Sequence, residues 1–514
     1  MKKVLLALAV LLSMSAMAEY KGDLYFCANK ELEKMPIQQG GRTKPLSVHA
    51  TETIKHLAGK SSVEGLNATT SYCLLSLKGM GLPVPLIMQA HIEHVDTRKF
   101  LELGEGVKDV NYDELVPEFA RVRAEWQAQK VDTSYKKDLN KLLSRINLYA
   151  ELRDGANWLI PELTPENAFT WTPISHFLNE SKVVAAREKN SDPFSYILLE
   201  AKGTFDRIHD HIYLTEYTYS KLHLPHVAML LSLIGLAFLT LFKNFKLALS
   251  MSVLTVIVQT ALLTFRVMIS GRAPITNMYE TVLFSGYGAL IIALIVGHFK
   301  KEKTFVYMGL AYNVCTMFML NFADGMLNAS ISPLVPVLRD NFWLSTHVTT
   351  IILSYGALAL SWILGNTVLI KNTFKTLTNE DMKYYTDLIY TTLKYGTVLL
   401  AAGIILGGVW ADYSWGRFWG WDPKETWSLI VLCIYMAILH GKYTSWISEK
   451  RFIPLTTASF LSVMMAWFGV NYILASGLHS YGFSEGGAIF LGSFFLIQVA
   501  LLAVTTPKLL KKEV

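Results

Sequence analysis

The sequence predicts an all-α polytopic membrane protein of about nine transmembrane helices, with an exported N-terminal domain of mostly helical character. Three observations predict it. Hydrophobic residues make up 52% of the 514, more than a soluble chain carries. Apolar runs long enough to cross a bilayer recur from Leu224 onward, whereas the residues before it hold most of the charge. Loops rich and poor in lysine and arginine alternate along the apolar part.

The chain opens on Lys2 and Lys3, an apolar stretch from Val4 to Leu12, and the small-residue pattern Ala16-Met17-Ala18, which read together as a signal peptide over residues 1–18. No cysteine stands at the cleavage point, which argues against a lipoprotein anchor. An exported domain then spans residues 19–223 and a membrane domain residues 224–514. Helical periodicity shows around residues 112–152 and 176–203 of the exported part. Its two cysteines, Cys27 and Cys73, leave two readings open: a disulfide formed in an oxidising compartment, or two buried thiols. Cys315 and Cys433 fall inside apolar helices and read as packing residues.

Segments near 225–242, 247–265, 279–298, 304–321, 344–370, 393–411, 427–446, 453–475 and 487–506 approach the ~20 residues that a crossing needs. With the exported domain outside, the cytoplasmic loops hold Lys243, Lys246, Lys300, Lys301, Lys303, Lys371, Lys375, Lys383, Lys394, Lys442, Lys450, Arg451, Lys508, Lys511 and Lys512. The opposite loops hold only Arg266, Arg272, Arg339, Arg417 and Lys424. This asymmetry predicts a bacterial inner-membrane protein with a periplasmic N-terminal domain and a cytoplasmic C-terminus. It also accounts for most of the net charge of +6 without a nucleic-acid partner. The stretch 372–393 is polar with scattered aromatics and predicts an amphipathic helix lying on the membrane lipid.

The densest chemical signal is the outward loop between the sixth and seventh spans, residues 410–427, which holds five of the 12 tryptophans. An interfacial belt is the plain explanation for such residues, but a belt places one or two rings at a helix end. Here the rings alternate with Gly416 and Gly420, which let a flat ligand approach the backbone. Trp415, Gly416, Trp419, Gly420, Trp421 and Asp422 therefore form a candidate platform for a large planar aromatic. Asp422 equally suits a helix N-cap, with Pro423 at the first helical position and Glu425 completing a capping box. Arg417 is either the partner of an acidic group on that ligand or a solvated loop residue. Asn277, Tyr279 and Glu280, in the outward loop before the third span, are candidates to line the same site, and Thr276 or Asn277 is equally a cap for that span.

Two histidines share the outward face with this loop: His347, just inside the fifth span, and His479, in the last outward loop. Neutral imidazoles approaching from opposite sides are a common axial arrangement for haem iron, which makes His347 and His479 candidate ligands of haem b. His440, toward the cytoplasmic end of the seventh span, is an ionisable group inside the membrane and a candidate ligand of a second, intramembrane haem. No CxxCH occurs, so the chain is not itself a haem-loaded cytochrome c.

The run Trp415-Gly416-x-x-Trp419-x-Trp421-Asp422, flanked by His347 and His479, resembles the WWD-domain haem-handling proteins. Over roughly residues 225–506 the chain is similar to the CcsA (ResC-like) family of the System II cytochrome c synthase, and Gln39–Leu46 looks like the start of the exported portion that precedes this module in fused CcsBA-type synthases. The resemblance implies that haem enters from the cytoplasmic side with His440 as one ligand, moves outward, and is held by His347 and His479 beside the tryptophans. There its vinyl groups meet the reduced thiols of an apocytochrome c CxxCH, in a lyase-type synthase reaction with no side chain acting as a covalent nucleophile. Thioredoxin-like proteins would keep those thiols reduced. Fused synthases carry a further membrane half that this sequence lacks, which implies a CcsB-like membrane subunit as partner; His226 and His298 do not match the family pattern. Three other readings remain: a haem exporter or chaperone without ligation activity, a transporter of some other aromatic solute, and a b-type electron carrier.

Overall fold

The computed structural model describes residues 25–510 except 82, 83, 85, 132, 165–167, 191, 324, 334–339 and 475–485. The signal peptide expected over residues 1–18, Arg339 and His479 lie outside the described residues. The chain divides into two units, one ending at Lys221 and one beginning at Leu222.

The first unit is mainly helical, as expected, but also carries four two-stranded antiparallel sheets. In the first, β1 (Pro36–Gln39) pairs with β2 (Arg42–Pro45) across Gly40 and Gly41, whose φ values of 58° and 77° suit a tight hairpin turn. The Gln39–Leu46 motif is therefore this turn, its second strand and the start of α1 (Leu46–Ala58), which ends where Gly59 turns left-handed at φ 71°. α2 (Ala68–Lys78) is capped by Asn67, and α3 (Ser134–Arg153) by Thr133. α3 buries Leu139, Leu142, Leu143, Ile146, Tyr149 and Leu152, an apolar stripe of helical period that fulfils the periodicity read over 112–152. Cys27 and Cys73 are joined as a disulfide inside the core these helices share, so the first of the two readings holds.

His49 of α1 is buried among polar partners: Gln39 Oε1 at 2.9 Å on Nδ1, with Asn157 Oδ1 at 2.7 Å and the Tyr72 hydroxyl at 3.1 Å on Nε2. Burial pushes its pKa down from 6.5 to about 4, aided by the Lys44 cation and opposed by the Asn157 contact. The unfolded chain then holds more protons than the folded one between those two values. Stability contributed by neutral His49 is fully present above pH ~6.5 and lost as pH falls toward 4, to a total of about 3 kcal/mol. Denaturation of wild type and His49→Gln across that window should show a pH slope in the wild type that the variant lacks.

Among the described residues nine helices are long and apolar enough to cross a membrane, and all but the opening turns of the first, Ile212–Thr240, belong to the second unit. α4 (Leu224–Thr240), α5 (Phe245–Ser270), α6 (Met278–Lys300) and α7 (Thr304–Phe322) form one group. A buried hydrogen-bond chain ties three of them: Ser232 Oγ donates to Asn313 Oδ1 at 2.8 Å, and Asn313 Nδ2 donates to Gln259 Oε1 at 3.1 Å. Such groups find no water in the bilayer and so bond between helices. The fifth span includes α8 (Thr349–Phe374), the centre of the bundle. Its Gly356 meets Ser285 of α6, and its Leu358 presses on Gly396 of α9 (Asn379–Trp415). Its Gly365 meets Thr457 of α11 (Glu449–Met464), and its Trp362 donates to Gln498 of α12 (Gly487–Leu510) at 2.8 Å. α10 (Pro423–Tyr443) joins α9 to α11.

Two features depart from expectation. No separate surface helix lies over 372–393: α8 runs to Phe374, and α9 begins at Asn379 and continues without a break to Trp415, its start fixed by a Thr378/Asp381 capping box. At 1.5 Å per residue this helix is about 55 Å long, well beyond the ~30 Å hydrocarbon thickness, so its polar first turns need no helix of their own. The helices are also not α-helical throughout, because Leu344–Val348 and Met465–Leu474 wind as π-helix.

Candidate functional site

Both π-helical stretches border the same cavity, at the end of the bundle where α6 and α10 begin and α9 finishes. Wider winding lets a side chain leave the regular helical row, a common device at functional sites. The first stretch delivers His347 toward α9, where its Nδ1 meets the Gly403 carbonyl at 2.8 Å. A carbonyl only accepts, so Nδ1 carries the proton and the lone pair lies on Nε2, the tautomer of a metal-binding imidazole. The ring also sits 5.8 Å from that of Trp410. α9 admits it because Gly407 has no side chain: a Cβ there would stand 2.6 Å from His347 Cε1.

Two cavities adjoin here. The larger, of about 810 Å³, is lined by Asn277, Met278, Trp467, Asn471 and others, and a second of about 670 Å³ by Gly407, Gly408, Trp415, Trp419 and Glu425 among others. His347, Ile351, Tyr355, Trp410, Lys424 and Ala466 belong to both. Both have mainly apolar walls with few polar groups, the make-up of small-molecule and cofactor sites. Trp410 is 7% exposed and its Nε1 has no hydrogen-bond acceptor among the described residues, an orphaned donor in the wall.

The tryptophan loop is tied down by one carboxylate. Glu425 Oε2 accepts from the backbone N–H of Gly420 at 2.7 Å and of Asp422 at 3.2 Å, while Oε1 takes Arg417 Nη1 at 3.3 Å. Asp422 accepts from the Lys424 N–H at 2.9 Å, so the expected capping box is present with Pro423 inside the first turn. The loop leaves α9 at Gly416, in the left-handed conformation at φ 67°. Phe418 folds back onto the bare backbone of Gly408.

The candidate platform thus divides. Trp415 and Trp419 line the second cavity, whereas Trp421 is 69% exposed and meets Trp419 edge-on at 5.9 Å. Gly416 and Gly420 shape the loop, the latter leaving room for the Arg417 guanidinium, and Asp422 is the cap. Arg417 stacks over Trp415 at 5.8 Å and pairs with Glu425. Asn277 both caps α6 and lines the larger cavity. Tyr279 and Glu280 do not line it, contrary to expectation. The first turn of α6 directs them inward, where Glu280 Oε1 binds Arg266 Nε and Nη2 at 3.0 and 2.7 Å and Tyr279 lies under the Arg266 guanidinium. His440 is exposed on α10, its Nδ1 on the Met436 carbonyl at 2.8 Å, and is separated from Lys424 by roughly 24 Å of helix. The residues missed by sequence reasoning are Tyr355, Gly403, Gly407, Lys424, Trp467 and Asn471. The spacing Gly403-x-x-x-Gly407-Gly408 was the one visible signal of close approach.

The cytochrome c assembly protein family model matches residues 275–479, a stretch holding all of the tryptophan loop and both outer histidines. Protein NrfI of Wolinella succinogenes is 28% identical over 498 residues, covering 86% of this chain, which spans about half (53%) of NrfI. The cytochrome c biogenesis protein CcsA of Guillardia theta is 34% identical over 292 residues, covering 51% of this chain and 95% of that protein. CcsA of Prochlorococcus marinus (strain MIT 9312) is 32% identical over 271 residues, 48% of this chain and 87% of the relative. With nine apolar helices among the described residues and near-complete coverage of a 34%-identical relative, this multi-pass membrane protein belongs to the CcsA family of cytochrome c biogenesis proteins.

Proposed function

We propose that this chain carries haem b across the bacterial inner membrane and presents it, on the periplasmic side, for thioether attachment to the CxxCH of an apocytochrome c. The observation that carries the reading is the His347 imidazole, locked by the Gly403 carbonyl with its lone pair on Nε2, in the wall of an indole-lined cavity. Haem is the substrate, and these donors fit it: a neutral nitrogen for the iron and aromatic faces for the porphyrin plane. His347 acts as one axial ligand, Trp415 and Trp419 flank the ring, and His479 is the second ligand. His440 serves the intramembrane site, its exposed face completed by a CcsB-like subunit.

Attachment adds each thiol S–H across a vinyl double bond, sulfur to one carbon and hydrogen to the other, with no net redox change. The chain's contribution is to hold the reactants together, which alone supplies a large part of such a rate enhancement. Thioredoxin-like proteins supply the thiols in reduced form.

The test is co-expression with a CcsB-like subunit and a CxxCH apocytochrome, reading the Soret band of the purified chain and the covalently linked product. A Soret band without product would leave haem export alone. A chain that never carries porphyrin even with its partner supplied would end the proposal.

Gly407→Ala gives a finer check. Its methyl is expected to push the imidazole off Gly403 and cut haem affinity by roughly 10–100-fold, the usual effect of losing such a support. Gly492→Ala, where nothing lies within 4 Å, is the control. Equal Soret titrations of the two variants would refute this role for Gly407.

A further inference from the structure

At the end of the bundle that holds the cavities, two large aromatic side chains stand open: Phe342, 64% exposed, just before the first π-helical stretch, and Tyr413, 73% exposed, in the last turn of α9. Trp343 lies between them, its ring 5.2 Å from that of Phe342 and 6.5 Å from that of Tyr413. Trp343 also packs on Ile275, Leu344 and Trp410, all three of which line the larger cavity. The three aromatic rings thus form a ledge that continues the cavity wall outward.

An interfacial belt would set such rings on the lipid-facing perimeter of the bundle. Phe342 and Trp343 instead begin the fifth span, the centre of the bundle, where 67% of the apolar stretch is enclosed against 17% in Gly487–Leu510. Exposed rings at the tip of an enclosed helix meet water or another polypeptide rather than acyl chains. Clustered aromatics beside a cavity are also the side chains that anchor protein partners most strongly.

We propose that Phe342, Trp343 and Tyr413 dock the polypeptide that receives the haem, through an apolar side chain beside its CxxCH; this rests on the haem reading above. Attachment requires the client's backbone to lie over the cavity mouth while its thiols reach the porphyrin, and the ledge is an apolar surface continuous with that wall. Trp343 precedes His347 by roughly one helical turn, ~5 Å, and an extended chain advances ~3.3 Å per residue. The docked side chain therefore lies about two or three residues from a reacting cysteine. One point fixed so close to the motif sets the register in which the two cysteines approach the vinyl groups.

The experiment loads the full chain in detergent micelles with haem b, followed by the Soret band, and then titrates it with two fluorescein-labelled peptides read by anisotropy. In both peptides serines replace the CxxCH cysteines, so that no thioether forms; leucines flank the motif in one and serines in the other. Wild type is expected to bind the leucine peptide about tenfold more tightly, the yield of one well-packed aromatic contact. Phe342→Ser and Tyr413→Ser should each cut that preference to about twofold or less, with the Soret titration unchanged. Trp446→Ser, which removes an aromatic 82% exposed at the opposite end of α10, should keep it. A preference that survives both ledge substitutions overturns the inference. So does a change confined to the oligomeric state, which would make the ledge a contact with a second copy, or to partition into the micelle, which would make it a headgroup contact. A wild type that takes up haem b and shows no preference leaves the haem reading standing and removes this inference alone. A wild type that takes up no porphyrin removes both.

Discussion

Replacing His347 by alanine is expected to weaken the ferrous bis-histidine spectrum of the purified chain and to lower the yield of covalent cytochrome at least about tenfold. Its imidazole is the ring that the bundle orients from outside itself, through the Gly403 carbonyl at 2.8 Å and the gap at Gly407. Deletion thus leaves a hole of imidazole size beside an unchanged aromatic wall. Added free imidazole should then restore part of the spectrum. The same substitution at His479 tests the opposite ligand, and at His440 the intramembrane site. If His347→Ala and His479→Ala both leave the spectrum unaltered, neither is a ligand.

Replacing Glu280 by glutamine is expected to cost about 3–5 kcal/mol, because it leaves the Arg266 guanidinium buried without its counter-charge. Both side chains are fully enclosed. Glu280 Oε1 receives Nε and Nη2 of Arg266, while Oε2 receives the backbone N–H of Thr276 at 2.8 Å and its hydroxyl at 2.7 Å. Arg266 Nη1 also reaches the Ala329 carbonyl at 3.0 Å, so one pair ties α5, the start of α6 and the segment after α7. The check is the denaturation midpoint of the detergent-solubilised chain. Replacing both partners by apolar residues, Arg266→Met with Glu280→Leu, should cost less than Glu280→Gln alone, since no charge is then stranded. A Glu280→Gln midpoint equal to wild type would show that the pair contributes nothing.

The membrane part was legible in the sequence because the bilayer imposes a length and a polarity that few patterns satisfy. The spans were found, but α9 is longer than read, since nothing in polar first turns marks where a helix enters lipid. The capping box at Asp422 followed from local spacing alone. Glu280 did not: its placement depends on Arg266, a residue counted in the sequence only as a loop charge. The π-helical windings carry no sequence mark, and they decide which residues face the cavity. In the first unit the hairpins went unread because their strands, two to five residues long, are too short for an alternating pattern. The network around His49 joins positions as far apart as Gln39 and Asn157, a distance no local pattern spans.

The grip of Glu425 on three donors has a mechanical corollary. Its carboxylate belongs to α10, yet it clasps Gly420, Asp422 and Arg417 of the preceding turn. The indole-bearing segment and the seventh span must consequently travel as one rigid piece. A swing of that piece against α9 would turn at Gly416, where left-handed backbone and the end of α9 already coincide. Severing the clasp would free the segment without touching a single aromatic ring.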